Sequence, residues 1–385
     1  MPTIPLLERY SGVAALPRVE LCSLPTALED AAGTLAAIAP GLAAPAELWI
    51  KRDDLTSTTY GGNKVRKLEF LLGEALASGR RSVITFGAYG SNHALATAVH
   101  ATALGLEPHA VLSPQAPGPF AARTLRAHAG VGTHLHAVEG WDGMRVAVDL
   151  RRVLTERDGV APAIIPMGGT SPLGALGYVN AALELLEQWP LRAGRAGAAA
   201  SPLAPDVAYV AGGTLGTAIG LAVGFAAAGA QTRTVAIRVT PDEVATDAIA
   251  EQLATDTINL LAHLDDGFPR LGFGDLNFEL RHDWFEPGYG VVTPETSAAV
   301  SHAQDGGVML ETTYTGKAFA ALVADARSGR LEEQSVVFWD TYNSAPMPPE
   351  GPDDALPPVL REYVDECDRE FGRAGNGPEA HDAVE

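Results

Sequence analysis

One lysine stands where an amine has a reason to react. The run Thr58-Thr59-Tyr60-Gly61-Gly62-Asn63-Lys64-Val65-Arg66-Lys67-Leu68-Glu69-Phe70 sets two glycines and an asparagine, all tolerant of positive φ, directly before Lys64. Apolar residues at Val65, Leu68, Leu71 and Leu72 follow at helical spacing, and Gly79 stands where a helix should stop. Lys64 therefore falls in the first turn of a helix, beside the end that favours anions and disfavours cations. Two outcomes are open. The amine reaches out to solvent, or it loses its proton and becomes a nucleophile toward a carbonyl.

A second chemistry is anion binding. Segments 87–93, 168–174 and 211–217 share one design: the end of an apolar run, small residues, then a helical pattern. Helix starts after glycine turns expose backbone N–H groups and attract phosphate. The third is the best cup, because Gly212 and Gly213 allow close backbone approach while Thr214 and Thr217 add hydroxyls. Other nucleotide and hydrolase signatures are missing. The Gly212-Gly213-Gly216 spacing is not G-x-G-x-x-G, and neither a P-loop nor a G-x-S-x-G elbow occurs. His93, His100, His109, His134, His136 and His282 form no H-E-x-x-H pattern, so no metal is expected. A lysine suited to an aldehyde and a phosphate cup on another strand together fit pyridoxal 5'-phosphate, which needs both ends held.

The elements that must position these groups alternate. Strands are expected at 48–52, 83–86, 109–112, 133–138, 163–167, 207–210, 235–239 and 336–340. Helices are expected from Lys64, from Ser91 or Asn92 to Gly105, over 123–129 and 141–157, up to Trp189, up to Ala228, and from Thr293-Pro294-Glu295. This is the α/β pattern of a mostly parallel sheet. The low-complexity stretch 192–205 reads as a surface loop, and the Pro-rich, acidic tail after Pro346 as loosely packed.

At 385 residues the chain has room for two domains, and no apolar run approaches a membrane span. Met1 to Arg9 lacks the pattern of a signal peptide. Cys22 and Cys367 lie near opposite ends without metal-like spacing, which suggests a reduced, cytoplasmic protein. With 27 basic and 47 acidic residues the net charge is −20, so nucleic acid is an unsuitable partner.

Several segments together resemble one family. Lys51-Arg-Asp-Asp-Leu55, Gly61 to Phe70, Ser91-Asn-His93, Gly168-Gly169 with Pro172 to Tyr178, Gly212-Gly-Thr214, Gly288-Tyr-Gly290 and Tyr314-Thr-Gly-Lys-Ala318 look like the family of 1-aminocyclopropane-1-carboxylate deaminase and D-cysteine desulfhydrase, in family order across about residues 48–341. The resemblance implies the tryptophan-synthase β-like fold (fold type II of pyridoxal-phosphate enzymes), two open parallel-sheet domains with the cofactor between them, and a homodimer. It implies a large domain of residues 1–66 and 176–345, a small one of 67–175, and a tail of 346–385 outside the likeness. Lys64 matches the Schiff-base lysine and proton shuttle, and Lys67 would reach the phosphate. Asn92 would bond the ring hydroxyl, and Ala211, Gly212, Gly213 and Thr214 would wrap the phosphate. Thr341 would meet the pyridine nitrogen. Ser91, Asn92, His93 and Thr315 would contact substrate. Tyr289 and Tyr314 would face it, one of them as an acid–base group.

This sequence departs from the pattern at three places. Thr315 replaces the glutamate of the deaminases, as in desulfhydrase-type members. Tyr342-Asn343 replaces a glycine pair, and Gly90 replaces a glutamine. The implied activity is α,β-elimination from a small amino acid such as D-cysteine, to keto acid, ammonia and leaving group. The alternatives are opening of the cyclopropane substrate, or a cofactor-holding amino-acid sensor without turnover.

Overall fold

The computed structural model describes residues 4–31, 33–34, 45–138, 143–192 and 203–373. In chain order the elements are α1 (Pro5–Arg9), β1 (Leu28–Asp30), β2 (Glu47–Arg52), α2 (Lys64–Ala77), β3 (Ser82–Ala88), α3 (Asn92–Ala103), β4 (Glu107–Ser113), α4 (Pro119–Val131), β5 (His134–Ala137), α5 (Gly143–Asp158), β6 (Ala163–Ile165) and α6 (Pro172–Gln188). They continue as β7 (Val207–Gly212), α7 (Gly216–Ala227), β8 (Arg233–Arg238), α8 (Asp247–Leu264), β9 (Phe278–Arg281), α9 (Pro294–Asp305), α10 (Thr315–Arg327), β10 (Ser335–Asp340) and α11 (Pro358–Phe371).

The chain divides into two compact units, Met1–Glu74 with Gly168–Pro346, and Ala75–Met167 with Met347–Glu385. The boundaries differ by several residues from the expected 66/67 and 175/176, and the tail belongs to the second unit.

In the first unit six strands run in the order β1-β2-β10-β7-β8-β9, all parallel except β1, which pairs antiparallel with β2. Burial alternates with the two-residue period of a strand. Trp49, Ala208, Val210, Ala236, Val337 and Trp339 enter one core with α6, α7 and α8. Leu48, Ile50, Val207, Tyr209, Val235, Ile237, Val336 and Phe338 enter the other, with α9 and α10. Strand order reverses between β10 and β7. In open α/β sheets, ligands sit outside the carboxyl ends of the strands at such a reversal.

The second unit is a four-stranded parallel sheet, β5-β4-β3-β6. As far as it is described, to residue 373, its tail is folded rather than loose, and the rest of the expected 346–385 tail lies outside the described residues. Leu360, Val364 and Cys367 recur at i, i+4 and i+7 on α11 and are buried with Tyr89, Leu112, Ala121 and Leu125. Arg126 on α4 pairs with both Asp353 and Asp368, so acidic residues that read as solvated tail have a partner. Most of the expected 192–205 loop, and Trp141 at the start of the expected 141–157 helix, lie outside the described residues. Among those described, no helix is long and apolar enough to cross a membrane.

Candidate active site

The turn before Lys64 is closed on both sides by backbone. Gly62 has φ +85°, and a Cβ there would lie 2.7 Å from the Tyr342 oxygen and 3.1 Å from that of Thr341. A Cβ on Gly61 would lie 2.3 Å from the Asp54 oxygen. Asn343 Oδ1 accepts from the Gly61 amide at 2.6 Å, and the Asn63 amide donates to the Thr341 carbonyl at 3.2 Å. The residue that departs from the family's glycine pair thus holds the turn that presents Lys64. Asn63 Nδ2 donates to Thr217 Oγ1 at 2.9 Å, and Lys64 Nζ donates to Asn63 Oδ1 at 2.6 Å. Burial lowers the Lys64 amine to about 8, with the charge of Glu311 pulling the other way. This is the direction a nucleophilic lysine requires.

The helix carrying Lys64 is pinned by a buried ionic network. Arg66 pairs with Asp53 and Glu184, and Lys51 pairs with Glu184 at 2.5 Å. Asp53 also accepts from Tyr178 Oη at 2.7 Å, Trp339 Nε1 at 2.9 Å and Thr26 Oγ1 at 2.9 Å. Two cations meet two anions, so no charge is left uncompensated. The Lys51-Arg52-Asp53-Asp54 motif therefore serves the architecture of the lysine turn.

Lys67 lies one turn beyond Lys64 and is fully buried. Its Nζ donates to the Gly168 carbonyl at 3.1 Å, and among the described residues no carboxylate pairs with it. Burial, then the like charge of Lys64, depresses its pKa well below the ordinary value. The amine sits beneath the start of α7, since a Cβ on Gly216 would lie 3.0 Å from Lys67 Nζ and 2.7 Å from Thr170 Oγ1. Thr170 and Thr214 hydroxyls are 2.6 Å apart, and a Cβ on Gly168 would strike Thr214 Oγ1. Two of the three glycine turns thus close on one point, the turn after Ile165 and the turn after β7. A buried amine without a carboxylate, two hydroxyls and a helix N-terminus form a cradle suited to a phosphate dianion, whose charge would favour the protonated amine. With Lys64 one helical turn away, these residues fit pyridoxal phosphate.

Tyr289 and Tyr314 share a hydrogen bond at 2.7 Å. Tyr314 packs against Gly213 in the turn after β7, its ring 3.2 Å from where a Cβ on Gly213 would stand. Burial raises both phenols above their ordinary range. Lys317 Nζ donates to the carbonyls of Phe285 and Gly288, both at 3.0 Å, which ties the Tyr289 loop to α10. Glu311 is a site residue that the sequence motifs did not reveal. Its buried carboxylate accepts from the amides of Thr313, Tyr314 and Thr315 at 2.7, 2.8 and 2.7 Å, and from Thr315 Oγ1 at 3.1 Å. Burial raises its pKa despite those donors. Thr315 is buried and its hydroxyl is taken up by Glu311, so it does not stand free to meet a substrate.

Ala211 and Gly212 end β7 in the first unit, whereas Ser91, Asn92 and His93 lie in the second. Ser91 caps α3, its Oγ accepting from the Ala94 amide, and Asn92 begins the helix. His93 is buried with Nε2 3.0 Å from Thr85 Oγ1 on β3. Gly90 follows from close packing: a Cβ there would lie 3.1 Å from Ala121, and its amide donates to Gln115 Oε1 at 3.0 Å.

Fold and site define a pyridoxal-phosphate enzyme of fold type II, and the chain belongs to the pyridoxal-phosphate dependent enzyme family, whose model matches residues 32–341. It is 32% identical over 345 residues to a D-cysteine desulfhydrase of Klebsiella pneumoniae, covering 87% of this chain and 96% of that protein. It is 34% identical over 330 residues to a putative 1-aminocyclopropane-1-carboxylate deaminase of Pyrococcus horikoshii, covering 84% and 91%. Among solved structures, a homologue of the same deaminase matches with a TM-score of 0.72 and 29% identity over 94% of this chain and all of that one. The expected family, α/β fold, cofactor and enzymatic nature all hold.

Proposed function

We propose that the enzyme carries out α,β-elimination on a small D-amino acid bearing a β-leaving group. With D-cysteine, loss of hydrogen sulfide and addition of one water give pyruvate and ammonia. The observation that carries this reading is the pairing of a lowered-pKa lysine with a neighbouring anion cradle, where Thr315 stands in the deaminases' glutamate position. The desulfhydrase relative supports the same class.

When bound, pyridoxal phosphate supplies an electron sink for the pair left at the substrate α-carbon. Lys67, Ala211, Gly212, Gly213 and Thr214 would hold its phosphate, and Thr341 would face the ring nitrogen. Lys64 anchors the aldehyde end at rest. Once free, its amine takes the α-proton, a task suited to a base whose pKa lies near 8. The hydrogen-bonded Tyr289–Tyr314 pair protonates the departing sulfur, since two high-pKa phenols carry a proton at neutral pH. Asn92 would bond the ring hydroxyl and Ser91 the substrate carboxylate. His93, turned onto Thr85, braces that helix start. Glu311 is a positioning residue, fixing Tyr314 and Thr315 through their amides.

We further assign the enzyme to the cytoplasm as a homodimer, a state that light scattering on the purified chain tests. Keto-acid release across a panel of D- and L-amino acids tests the reaction. Release from D-cysteine or another β-substituted D-alanine supports it. Turnover restricted to 1-aminocyclopropane-1-carboxylate, or binding without turnover, overturns it.

A further inference from the structure

The register of the second sheet gathers ligand-type side chains that are far apart in sequence. His109 on β4 pairs with His134 on β5, and Val111 pairs with His136. Glu107 and His109 are two apart, as are His134 and His136, so all four project from one face. That face also carries Val111 and Val138, packed under α5. Glu107 Oε1 lies 2.8 Å from His109 Nε2 and 3.5 Å from His134 Nε2. Glu107, His109 and His134 each offer a ligand atom, all within 4.8 Å of one another. The rings stack, His109 on His134 at 4.6 Å and on His136 at 5.4 Å, with His136 Nε2 3.1 Å from His109 Nδ1.

We propose that Glu107, His109 and His134 form a binding site for a late divalent transition metal such as Zn2+, separate from the cofactor cradle. One carboxylate oxygen and two imidazole nitrogens suit zinc; magnesium and calcium prefer all-oxygen shells. Three protein ligands leave a fourth position to water. His136 completes the arrangement. When His109 Nε2 turns its lone pair to the metal, its Nδ1 carries the proton and donates to His136 Nε2, a second-layer bond that fixes the ring. The competitor is Arg157 at the end of α5, whose Nη1 lies 2.8 Å from Glu107 Oε1 and which also pairs with Asp158. The metal would tie edge strand β5 to β4.

The test uses untagged, cofactor-loaded full-length protein freed of metal by chelation, titrated calorimetrically with Zn2+ and spectroscopically with Co2+. One saturable equivalent per chain is expected, with the intense visible bands of four-coordinate Co2+. His134→Ala, at an exposed position, should weaken binding by tenfold or more, as should Glu107→Gln. His263→Ala, on exposed α8 surface, should leave binding unchanged. Arg157→Ala should tighten it by freeing Glu107. Zn2+ should raise the Tm of the parent chain and not that of the His134 variant. Absence of saturable binding, or equal affinity in the parent, His134→Ala and Glu107→Gln proteins, overturns the site.

Discussion

Arg66 donates through Nε and Nη2 to both carboxylate oxygens of Asp53, at 2.9 and 2.7 Å, and neither residue is more than 1% exposed. Arg66 lies two residues beyond Lys64, and the pair joins the lysine helix to the residue after β2. Asp53→Asn would leave a buried guanidinium half-compensated. Breaking such a pair destabilises by about 3–5 kcal/mol. Urea unfolding should show that loss, together with faster escape of the cofactor. A change below about 1 kcal/mol, the range of exposed pairs, would mean the network is solvated.

Lys64→Ala should give colourless protein. The parent chain, reduced with borohydride after incubation with pyridoxal phosphate, should carry the cofactor on the peptide containing Lys64. Because burial lowers this amine to about 8, capture of the cofactor by the apo-protein should speed up as pH rises through about 8. The neutral amine is the attacking form and accumulates above that value. A rate rising only near the ordinary lysine value of 10.5, or a label on another lysine, contradicts the assignment.

Thr214→Val removes a hydroxyl 2.6 Å from Thr170 Oγ1 while keeping the shape of the side chain. A hydrogen bond to a charged group contributes roughly 1.5–3 kcal/mol. Cofactor dissociation, followed by dialysis and absorbance, should rise about tenfold or more, with kcat of the saturated enzyme nearly unchanged. Unaltered retention would move the phosphate to another turn.

Glu311→Gln keeps one acceptor but removes the charge that raises the Lys64 pKa. The alkaline-rising limb of the rate profile should therefore move to lower pH. The slackened Tyr314 should reduce kcat on the order of 10-fold, with cofactor retained. A lowered kcat with an unmoved limb would show that Glu311 is a helix cap and nothing more.

β-Substituted alanines bearing sulfur or chlorine should be turned over much faster than 1-aminocyclopropane-1-carboxylate. A thiolate or chloride carries away the electron pair as it leaves. Opening a cyclopropane offers no such exit and needs more help from the ring, which hydroxyls at Thr315 and Thr341 cannot give as a carboxylic acid can. Comparable kcat/KM for the two classes, from ammonia and keto-acid release, would reverse the proposal.

Features set by local backbone chemistry were legible in the sequence. The glycines before Lys64, the caps Ser91 and Thr293, and the apolar runs of β7 and β10 depend on φ, ψ and periodicity within a few residues, so their types and spacing announce them. Helix α8 carries a local signature as well, Thr246 as cap and Ala250, Leu253, Ile258 and Leu261 at helical spacing, but no chemical motif.

What only the tertiary structure decided is which local pieces meet. The sequence holds three glycine turns of one design, and only the tertiary contacts show that the turns after Ile165 and β7 meet at Lys67. Glu311 reads as an ordinary loop residue until α10 folds its amides onto it. Asn343 looks like added bulk until β10 sets it against Gly61. The tail looks solvated until Leu360, Val364 and Cys367 find a core. The histidines lack metal spacing along the chain because strand register, which pairs His109 with His134 across 25 residues, gathers them. Apart from Glu311, whose donors lie two to four residues on, the deciding contact joins residues distant in sequence, and no local propensity encodes it.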